Sequence, residues 1–344
     1  EADYLLVEST YGNRLHEDTT QKVELFRKLI VESVNSGGNL VIPAFAIGRT
    51  QDILYHIRAL LQKGAIPRVP VYIDSPMAVS VTEIYRDSPD CYDEEARQLF
   101  AAHESPFEFP SLTFLRTAEE SKRLNETARG AIIISASGMC EAGRILHHLK
   151  HNLWRPESHI LFVGFQAEGT LGRRLLEGAK TIKIMGEAIN VQATIHSIGG
   201  FSAHADQGEI MNWLGKFTRK PRNIFIVHGE SAAQQELAAL IRNKLGIDCL
   251  IPSLGERITL KPEARLEQVQ PQPVVANYEL DRAVTDLEHS VLNLHQLIRR
   301  MTPQASLPQS GGLPRVGAAP QTDSQLEELK RLVGEVERLL KTGS

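Results

Sequence analysis

The feature that most constrains the fold is a unit that recurs along the first half of the chain. In each copy a short apolar run ends in a turn rich in Gly and Ser, and a helical pattern follows. The runs lie at residues 4–7, 39–43, 69–74, 131–135 and 159–163. Strands that alternate with helices predict an α/β fold with a largely parallel sheet.

The predicted helix after the first run has the clearest pattern. Val23, Phe26, Ile30 and Val34 are spaced by 3, 4 and 4 residues, and a glycine pair follows at 37–38. This spacing places the four apolar side chains on one helix face, and glycine is a common helix stop.

Shorter segments follow the fifth apolar run. Strands are predicted at residues 183–185, 193–198 and 223–227, and a helix is predicted at 232–245. Residues 247–260 are interpreted as a closing pair of strands.

The composition is typical of a soluble globular protein of about two domains, with 344 residues, 42% hydrophobic and 23% charged. The net charge of −4 argues against a histone-like mode, in which an overall positive charge of the protein holds the partner. A local basic groove that binds nucleic acid remains compatible with it. Three scattered cysteines favour a reducing cytoplasm over a disulfide framework. No apolar run approaches the ~18 residues of a membrane span. We therefore expect a cytoplasmic protein.

Three side chains suited to metal-dependent hydrolysis flank predicted strands. Glu8 follows residues 4–7, His228 follows residues 223–227, and His204 lies in the small-residue segment GFSAHAD. A single histidine at such a position more often has a structural role. A carboxylate with two imidazoles suits a hydrolase, because neutral imidazole binds zinc and a carboxylate fixes its tautomer.

Six segments resemble one known family, in the family's order. They are ADYLLVESTYG, IPAFAIGRTQ, SASGMCEAGR, GFQAEGTLGR, GFSAHAD and IVHGE. Over residues 1–262 the chain is similar to the β-CASP proteins of the metallo-β-lactamase superfamily, which include ribonuclease J and the nuclease of the polyadenylation complex. It looks most like the bacterial and archaeal RNA-processing members.

The resemblance implies a role for each of the three side chains. His228 matches a histidine that binds one of two zinc ions, and His204 matches a histidine at the scissile phosphate that an acid, here Glu8, orients. In the family the zinc ions would polarise the phosphate and supply the attacking hydroxide. His204 would stabilise the developing charge or protonate the leaving oxygen.

The sequence departs from the family pattern at its start. In the family an HxHxDH motif, a further histidine and a bridging aspartate precede the Glu8 position, and none of the twelve histidines here begins such a motif. The chain also lacks an initiator Met. We therefore expect the natural protein to start earlier and this chain alone to be inactive, because a catalytic zinc ion usually needs three protein ligands. The HHLKH segment at 147–151 is interpreted as a polar helix face.

Other strand-end turns are predicted to contact RNA phosphates. Guanidinium groups and helix N-terminal N–H groups bind phosphate without reading the base sequence. The alternative is that the glycines only form tight turns and that the arginines are solvated. The predicted contacts are Arg49, Ser137, Gly138, Gly169, Thr170 and Arg173.

Four further residues are given mainly structural interpretations. Asp74 is interpreted as part of a turn after a strand, and Trp154 and Trp213 as core residues rather than platforms for RNA bases. Asp206 either orients His204 or caps the helix that follows it.

These patterns divide the chain into domains. Residues 1–12 and 188–262 are assigned to the metallo-β-lactamase domain, an αββα fold of which the chain carries the C-terminal part. Residues 13–187 are assigned to an inserted β-CASP domain with an α/β parallel sheet, and residues 263–279 to a linker.

The C-terminal tail carries coiled-coil patterns. Apolar residues repeat at heptad spacing over residues 280–301 and again over 323–341, and the intervening Pro- and Gly-rich segment at 302–322 is predicted to be disordered. The narrow apolar stripes favour a homodimer or a helical partner, and packing against the chain's own body is the alternative.

Three functions are compatible with these observations. The first is a ribonuclease that cleaves single-stranded RNA with two zinc ions. The second is a catalytically inactive RNA-binding or scaffold subunit, against which the presence of Glu8, His204 and His228 argues. The third is a DNA-directed β-CASP nuclease, against which His228 argues because the DNA-acting members resemble each other in replacing it.

Overall fold

The computed structural model describes residues 1–16, 19–102 and 104–260. Within these ranges, Glu1–Pro252 belongs to one compact unit and Ser253–Leu260 to a second. The strands, helices and candidate site described below all lie in the first unit.

The predictions for the linker at 263–279, the helices at 280–301 and 323–341 and the segment at 302–322 lie outside the described residues. They stay predictions. Among the helices that are described, none combines the length and the apolar character that a membrane span requires.

Short strands and helices alternate along the first unit. The strands are β1 (Tyr4–Glu8), β2 (Leu40–Pro43), β3 (Val71–Ile73), β4 (Leu112–Phe114), β5 (Ile132–Ser135), β6 (His159–Phe162), β7 (Thr181–Ile184), β8 (Glu187–Asn190), β9 (Thr194–Ser197), β10 (Asn223–Val227) and β11 (Asp248–Leu250). The helices are α1 (Thr19–Ser36), α2 (Arg49–Gln62), α3 (Pro76–Arg86), α4 (Glu94–Ala101), α5 (Ala118–Thr127), α6 (Ile145–Asn152), α7 (Leu171–Leu176), α8 (Gln207–Gly215) and α9 (Ser231–Leu245).

The strands form two parallel sheets and a hairpin. The larger sheet has the order β4-β3-β5-β2-β6-β9, and every neighbouring pair in it is parallel. The smaller sheet, β1-β10-β11, is also parallel, and β7 pairs with β8 in antiparallel fashion. The predicted α/β fold with a largely parallel sheet is confirmed.

Strand β2 shows why helices cover both faces of the larger sheet. Leu40 and Ile42 pack into a core with Phe26 of α1, whereas Val41 packs into a second core with Leu149 of α6. Successive side chains of a strand point to opposite faces, so a strand that is apolar throughout needs cover on both. A third core joins the smaller sheet to α8 and α9.

Residues 247–260 do not form the predicted pair of strands. Only β11 forms there, and residues 251–260 are neither helix nor strand. Pro252 has no backbone N–H to donate to a strand ladder, and Gly255 has a positive φ of 78°, which suits a turn.

Strand β9, predicted at residues 193–198, joins the larger sheet through β6. The next strand along the chain, β10, lies in the smaller sheet. Strands that follow each other in sequence therefore belong to different sheets. The domain boundaries themselves, at 1–12, 13–187 and 188–262, stay a prediction.

Both tryptophans lie on the surface, so the prediction that they are core residues is wrong. Trp154 is 51% exposed and Trp213 is 50% exposed. Leu153, which precedes Trp154, and Leu214, which follows Trp213, are buried instead. Trp213 lies in α8, where adjacent residues point in different directions, so Leu214 packs inward and Trp213 faces solvent. Trp154 follows the end of α6 at Asn152.

The HHLKH segment lies in α6, and its interpretation as a polar face is wrong for His148. That residue is completely buried, on the same helix face as Ile145, Leu149 and Asn152. Residues at spacings of three and four share a helix face, so this position faces the core whatever its polarity.

The buried ring of His148 is hydrogen-bonded to Asp74, for which the sequence predicts a turn after a strand. The Nε2 atom of His148 lies 2.7 Å from Oδ2 of Asp74, and Ser121 and Arg144 also donate to this carboxylate. Burial by itself would raise the pKa of Asp74, but hydrogen bonds from His148 and Ser121 outweigh it, and the pKa is lowered. Asp74 therefore ties the end of β3 to α5 and to α6.

Candidate active site

Glu8 and His228 meet because β1 and β10 are parallel neighbours in register. Glu8 pairs with Val227 at the carboxyl ends of the two strands, so His228 follows directly beside it. The N–H of Ser9 donates to the carbonyl of His228 over 3.1 Å. A Cβ on Gly229 would lie 2.3 Å from Oγ of Ser9, so this close approach requires glycine.

His228 itself has a positive φ of 48°. Non-glycine residues seldom adopt this left-handed conformation, and when they do it is often at a functional site. Here it ends strand β10 and directs the imidazole towards Thr10, whose Oγ1 lies 3.3 Å from Nδ1 of His228.

His204 reaches the same place from the loop between β9 and α8. The anchor of this loop is Asp206, which caps α8 by accepting from the N–H of Glu209 over 2.8 Å and also accepts from the N–H of His16. Of the two roles considered for Asp206, the structure shows the cap. His16 in turn lies with Nε2 at 2.8 Å from the carbonyl of His204.

The three predicted side chains converge although 196 residues separate Glu8 from His204 in the chain. Oε1 of Glu8 lies 3.2 Å from Nδ1 of His204, and Oε2 lies 4.0 Å from Nδ1 of His228. The two imidazole rings are stacked, with centroids 5.8 Å apart. Glu8 is thus hydrogen-bonded to one histidine and close to the other.

Glu8 is held as a carboxylate. Burial would raise its pKa, but hydrogen bonds from the backbone and side chain of Thr10 and from His204 outweigh burial, and the pKa is lowered. The N–H of Thr10 donates to Oε2 over 2.7 Å. An ionised Glu8 accepts hydrogen bonds only, which fits a residue that orients His204.

The same three residues are the candidate metal ligands. One ligand atom from each lies within 4.8 Å of the others, and no other group of three such residues occurs among the residues that the structure describes. A zinc ion usually needs three protein ligands, and here Glu8 is hydrogen-bonded to His204 at 3.2 Å, which leaves His228 as the donor with no carboxylate bound to its ring. The described residues therefore do not supply the ligands of two zinc ions.

A cleft of about 670 Å³ opens beside this cluster, and His204 and His228 line it. Arg49, at the start of α2, lines it as well. Its side chain is only 11% exposed, and its Nε and Nη1 atoms have no hydrogen-bond partner. Burial lowers the pKa of Arg49, and the Asp52 carboxylate, 3.7 Å from Nη1, partly compensates. Arg49 is therefore placed to bind an anion in the cleft.

The Ser137–Gly138 turn contributes to the cleft through its glycine. Gly138 lines the cleft, and its carbonyl accepts from Nε2 of Gln166 over 3.0 Å. The Oγ atom of Ser137 instead accepts from the N–H groups of Glu141 and Ala142, so it serves the turn.

The Gly169–Thr170 turn has mainly a capping role in the structure. Gly169 has a φ of 85°, and Oγ1 of Thr170 accepts from the N–H of Arg173 at the start of α7. Arg173 lines a neighbouring cleft of about 410 Å³ and forms ion pairs with Glu177 at 2.7 Å and Glu230 at 3.1 Å. The structure therefore does not bring Arg173 into the cleft of His204.

Sequence reasoning missed three polar residues of this region. Thr10 contacts both Glu8 and His228, Gln166 is 4% exposed and holds Gly138, and Lys22 lines the cleft. Thr10 follows Glu8 by two residues, so its position was a usable signal. Nothing in the local pattern marks Lys22, which lies within a helix far from any strand end.

Comparisons with known proteins agree with this geometry. A family model for the Beta-Casp domain matches residues 50–175, and one for a Zn-dependent metallo-hydrolase RNA specificity domain matches residues 188–252.

Three curated relatives illustrate the similarity. A ribonuclease of Thermus thermophilus is 38% identical over 258 residues, which cover 75% of this chain and 58% of the relative. A transcription termination factor of Thermococcus kodakarensis is 34% identical over 75% of this chain and 41% of the relative. An RNase J-like protein of Methanocaldococcus jannaschii is 34% identical over 74% of this chain and 58% of the relative.

The chain thus spans about 41% to 58% of the length of these relatives. The two family models match consecutive parts of the chain. The structure adds the parallel α/β fold and brings Glu8, His204 and His228 together. The chain belongs to the β-CASP family of zinc-dependent metallo-hydrolases.

Proposed function

We propose that this chain is part of a ribonuclease that hydrolyses phosphodiester bonds of single-stranded RNA. The observation that carries the proposal is the convergence of Glu8, His204 and His228 at the edge of a cleft that Arg49 also lines. The printed names of two relatives, a ribonuclease and an RNase J-like protein, support RNA as the substrate. So does the RNA specificity domain matched at residues 188–252.

In this proposal His204 acts on the scissile phosphate, and Glu8 orients it. The hydrogen bond from His204 Nδ1 to Glu8, at 3.2 Å, fixes one ring nitrogen and leaves Nε2 for the substrate. An imidazole held in this way can stabilise negative charge on the phosphate or protonate the leaving oxygen.

His228 is the proposed zinc ligand of this chain. Zinc supplies Lewis-acid polarisation of the phosphate when it is bound. Since the described residues bring together only three donors, a second zinc ion needs ligands from elsewhere. We therefore expect this chain alone to bind RNA without cleaving it.

The test is an incubation of the chain with labelled single-stranded RNA and excess zinc, with and without a chelator. We expect RNA binding and no chelator-sensitive cleavage at a rate near 1 per second, which is about the lower end for typical enzymes. Placing a segment with the HxHxDH motif in front of Glu1 is expected to produce such cleavage, and His204→Ala should then abolish it. Rapid cleavage by the chain alone would contradict the ligand count, and absence of RNA binding would contradict the function.

The inactive RNA-binding subunit is the alternative function, and the convergence of Glu8, His204 and His228 argues against it. The extended form distinguishes the two functions, because a scaffold subunit stays inactive when the motif is supplied. A single-stranded DNA oligonucleotide in the same assay tests the DNA-directed alternative.

A further inference from the structure

We propose that Phe45 is a stacking platform for an RNA base, beside the phosphate site at Arg49. The inference rests on the proposed function and adds to it a nucleotide subsite formed by the segment that leads from β2 into α2. We call residues 44–48 the cleft loop.

The cleft loop presents apolar side chains to solvent inside the cleft. Phe45 is 48% exposed and Ile47 is 63% exposed, and both line the same cleft as His204 and His228. Exposed apolar side chains that share a concave surface with charged groups are typical of a ligand-binding site.

The other two phenylalanines of the cleft are already engaged. Phe201 is 3% exposed, and its ring contacts that of Phe26 at 5.7 Å. The Phe165 ring lies edge-on to Tyr11, also at 5.7 Å. Phe45 therefore offers the most accessible phenylalanine ring of the cleft.

The backbone fixes where the Phe45 ring lies. The Phe45 carbonyl accepts from Oγ1 of Thr50 over 2.8 Å, and the carbonyl of Ala46 accepts from Nε2 of Gln51. A Cβ on Gly138 would lie 3.0 Å from two ring carbons of Phe45, so glycine there lets the ring rest against the backbone. A platform held from one side loses little conformational entropy when a base stacks on the other.

A cation for the phosphate of the same nucleotide comes from the same segment. Arg49 directly follows the cleft loop, and its Nε and Nη1 atoms make no hydrogen bond, although the Asp52 carboxylate lies 3.7 Å from Nη1. Lys22 adds a second positive charge to the cleft wall. An aromatic ring for the base next to a cation for the phosphate is the usual arrangement for binding single-stranded nucleic acid without sequence preference.

The test measures binding of a fluorescein-labelled single-stranded RNA to the full chain, with a chelator present to prevent cleavage. Phe45→Ala should weaken binding about 5- to 150-fold, because a base stack contributes that much by alanine substitution. The slope of log affinity against log salt should not change. Phe45→Tyr keeps the ring and should bind within about twofold of the parent.

Phe100→Ala is a matched control, since Phe100 is also 48% exposed but does not line the cleft. It should bind RNA like the parent. A set of RNAs that each carry one abasic nucleotide completes the test. At the position that stacks, Phe45→Ala should cause no further loss, since no base remains to contact the ring.

The inference is overturned if Phe45→Ala binds like the parent, if Phe100→Ala loses as much, or if the loss is the same at every abasic position. If the parent binds RNA and Phe45→Ala does not weaken that binding, the proposed function stands and the base platform is wrong. If the parent binds no RNA, both fall.

Discussion

At the scale of single residues, the surroundings of Glu8 distinguish two histidines that have similar sequence contexts. His204 is hydrogen-bonded to the carboxylate at 3.2 Å, whereas His228 contacts Thr10 and lies 4.0 Å from Glu8. A histidine that a carboxylate orients is suited to act on the substrate, and one held at a strand end with a free ring nitrogen is suited to bind metal. The two substitutions should therefore have different effects.

We predict that, in the form extended by a segment with the HxHxDH motif, His228→Ala weakens zinc binding more than His204→Ala does. Loss of a direct ligand should raise the zinc dissociation constant by at least about tenfold, while loss of a substrate-side imidazole should change it much less. Titration calorimetry with zinc measures both. His147→Ala, at an exposed position of α6, controls for surface binding. Equal losses in the two site variants would contradict the assigned roles.

The sequence predicts both Arg49 and Arg173 as phosphate contacts, but in the structure only Arg49 lines the cleft of His204. Arg49→Ala should lower the salt slope of single-stranded RNA binding by about 0.7, the value for one phosphate contact. Arg173→Ala should lower it less, because Glu177 and Glu230 already pair with this guanidinium. Fluorescence anisotropy over a range of salt concentrations gives both slopes. A larger change for Arg173→Ala would argue against this order.

At the scale of elements, the larger sheet is held to its helices by apolar cores and by one buried polar network. Asp74 follows β3, and its partners Ser121 and His148 belong to α5 and α6. Asp74 and His148 are both completely buried. A buried charge is tolerated only when it is paired and hydrogen-bonded. Removing one partner therefore leaves the others buried without a hydrogen bond.

We predict that Asp74→Asn lowers the free energy of unfolding by roughly 3 to 5 kcal/mol at pH 7. The pKa of Asp74 is lowered in the folded chain, so its contribution is present above the ordinary aspartate pKa of about 4. That contribution is lost as the pH falls through the lower folded pKa. The difference between parent and variant should therefore narrow below about pH 4.

Urea unfolding at a series of pH values measures this difference. Asp87→Asn is the control, since its side chain is 76% exposed and pairs only loosely with Arg86 at 3.9 Å. A gap between parent and Asp74→Asn that stays constant on acidification would show that the carboxylate charge is not the stabilising feature.

At the scale of the whole molecule, the family match and the candidate site both fall within residues 1–252, ahead of the predicted tail. The family models match residues 50–175 and 188–252, and the heptad patterns lie at 280–301 and 323–341. Heptad segments this short are marginal as isolated helices and need a partner helix.

We predict that a chain cut at Pro271 keeps its α/β body folded and loses self-association or the recruitment of a helical partner. Light scattering of the full and shortened chains over a concentration series measures the mass, and circular dichroism reports the folded body. If both chains have the same mass at every concentration and neither retains a helical partner, the tail only packs against its own chain.

The sequence by itself determined the features that depend on neighbouring residues. Apolar runs and helix spacing predicted β1, β2, β6 and α1 closely, because period and turn residues are local properties. The six motifs also pointed to Glu8, His204 and His228 through resemblance.

Only the tertiary structure decided which distant residues meet and which positions are buried. Strand order brought Glu8 beside His228, the loop before α8 carried His204 to both, and β3 placed Asp74 against His148. The same packing left Phe45 exposed beside Arg49 and turned the tryptophans to solvent. These outcomes depend on pairing between segments far apart in the chain, and local periodicity carries no information about which segments pair.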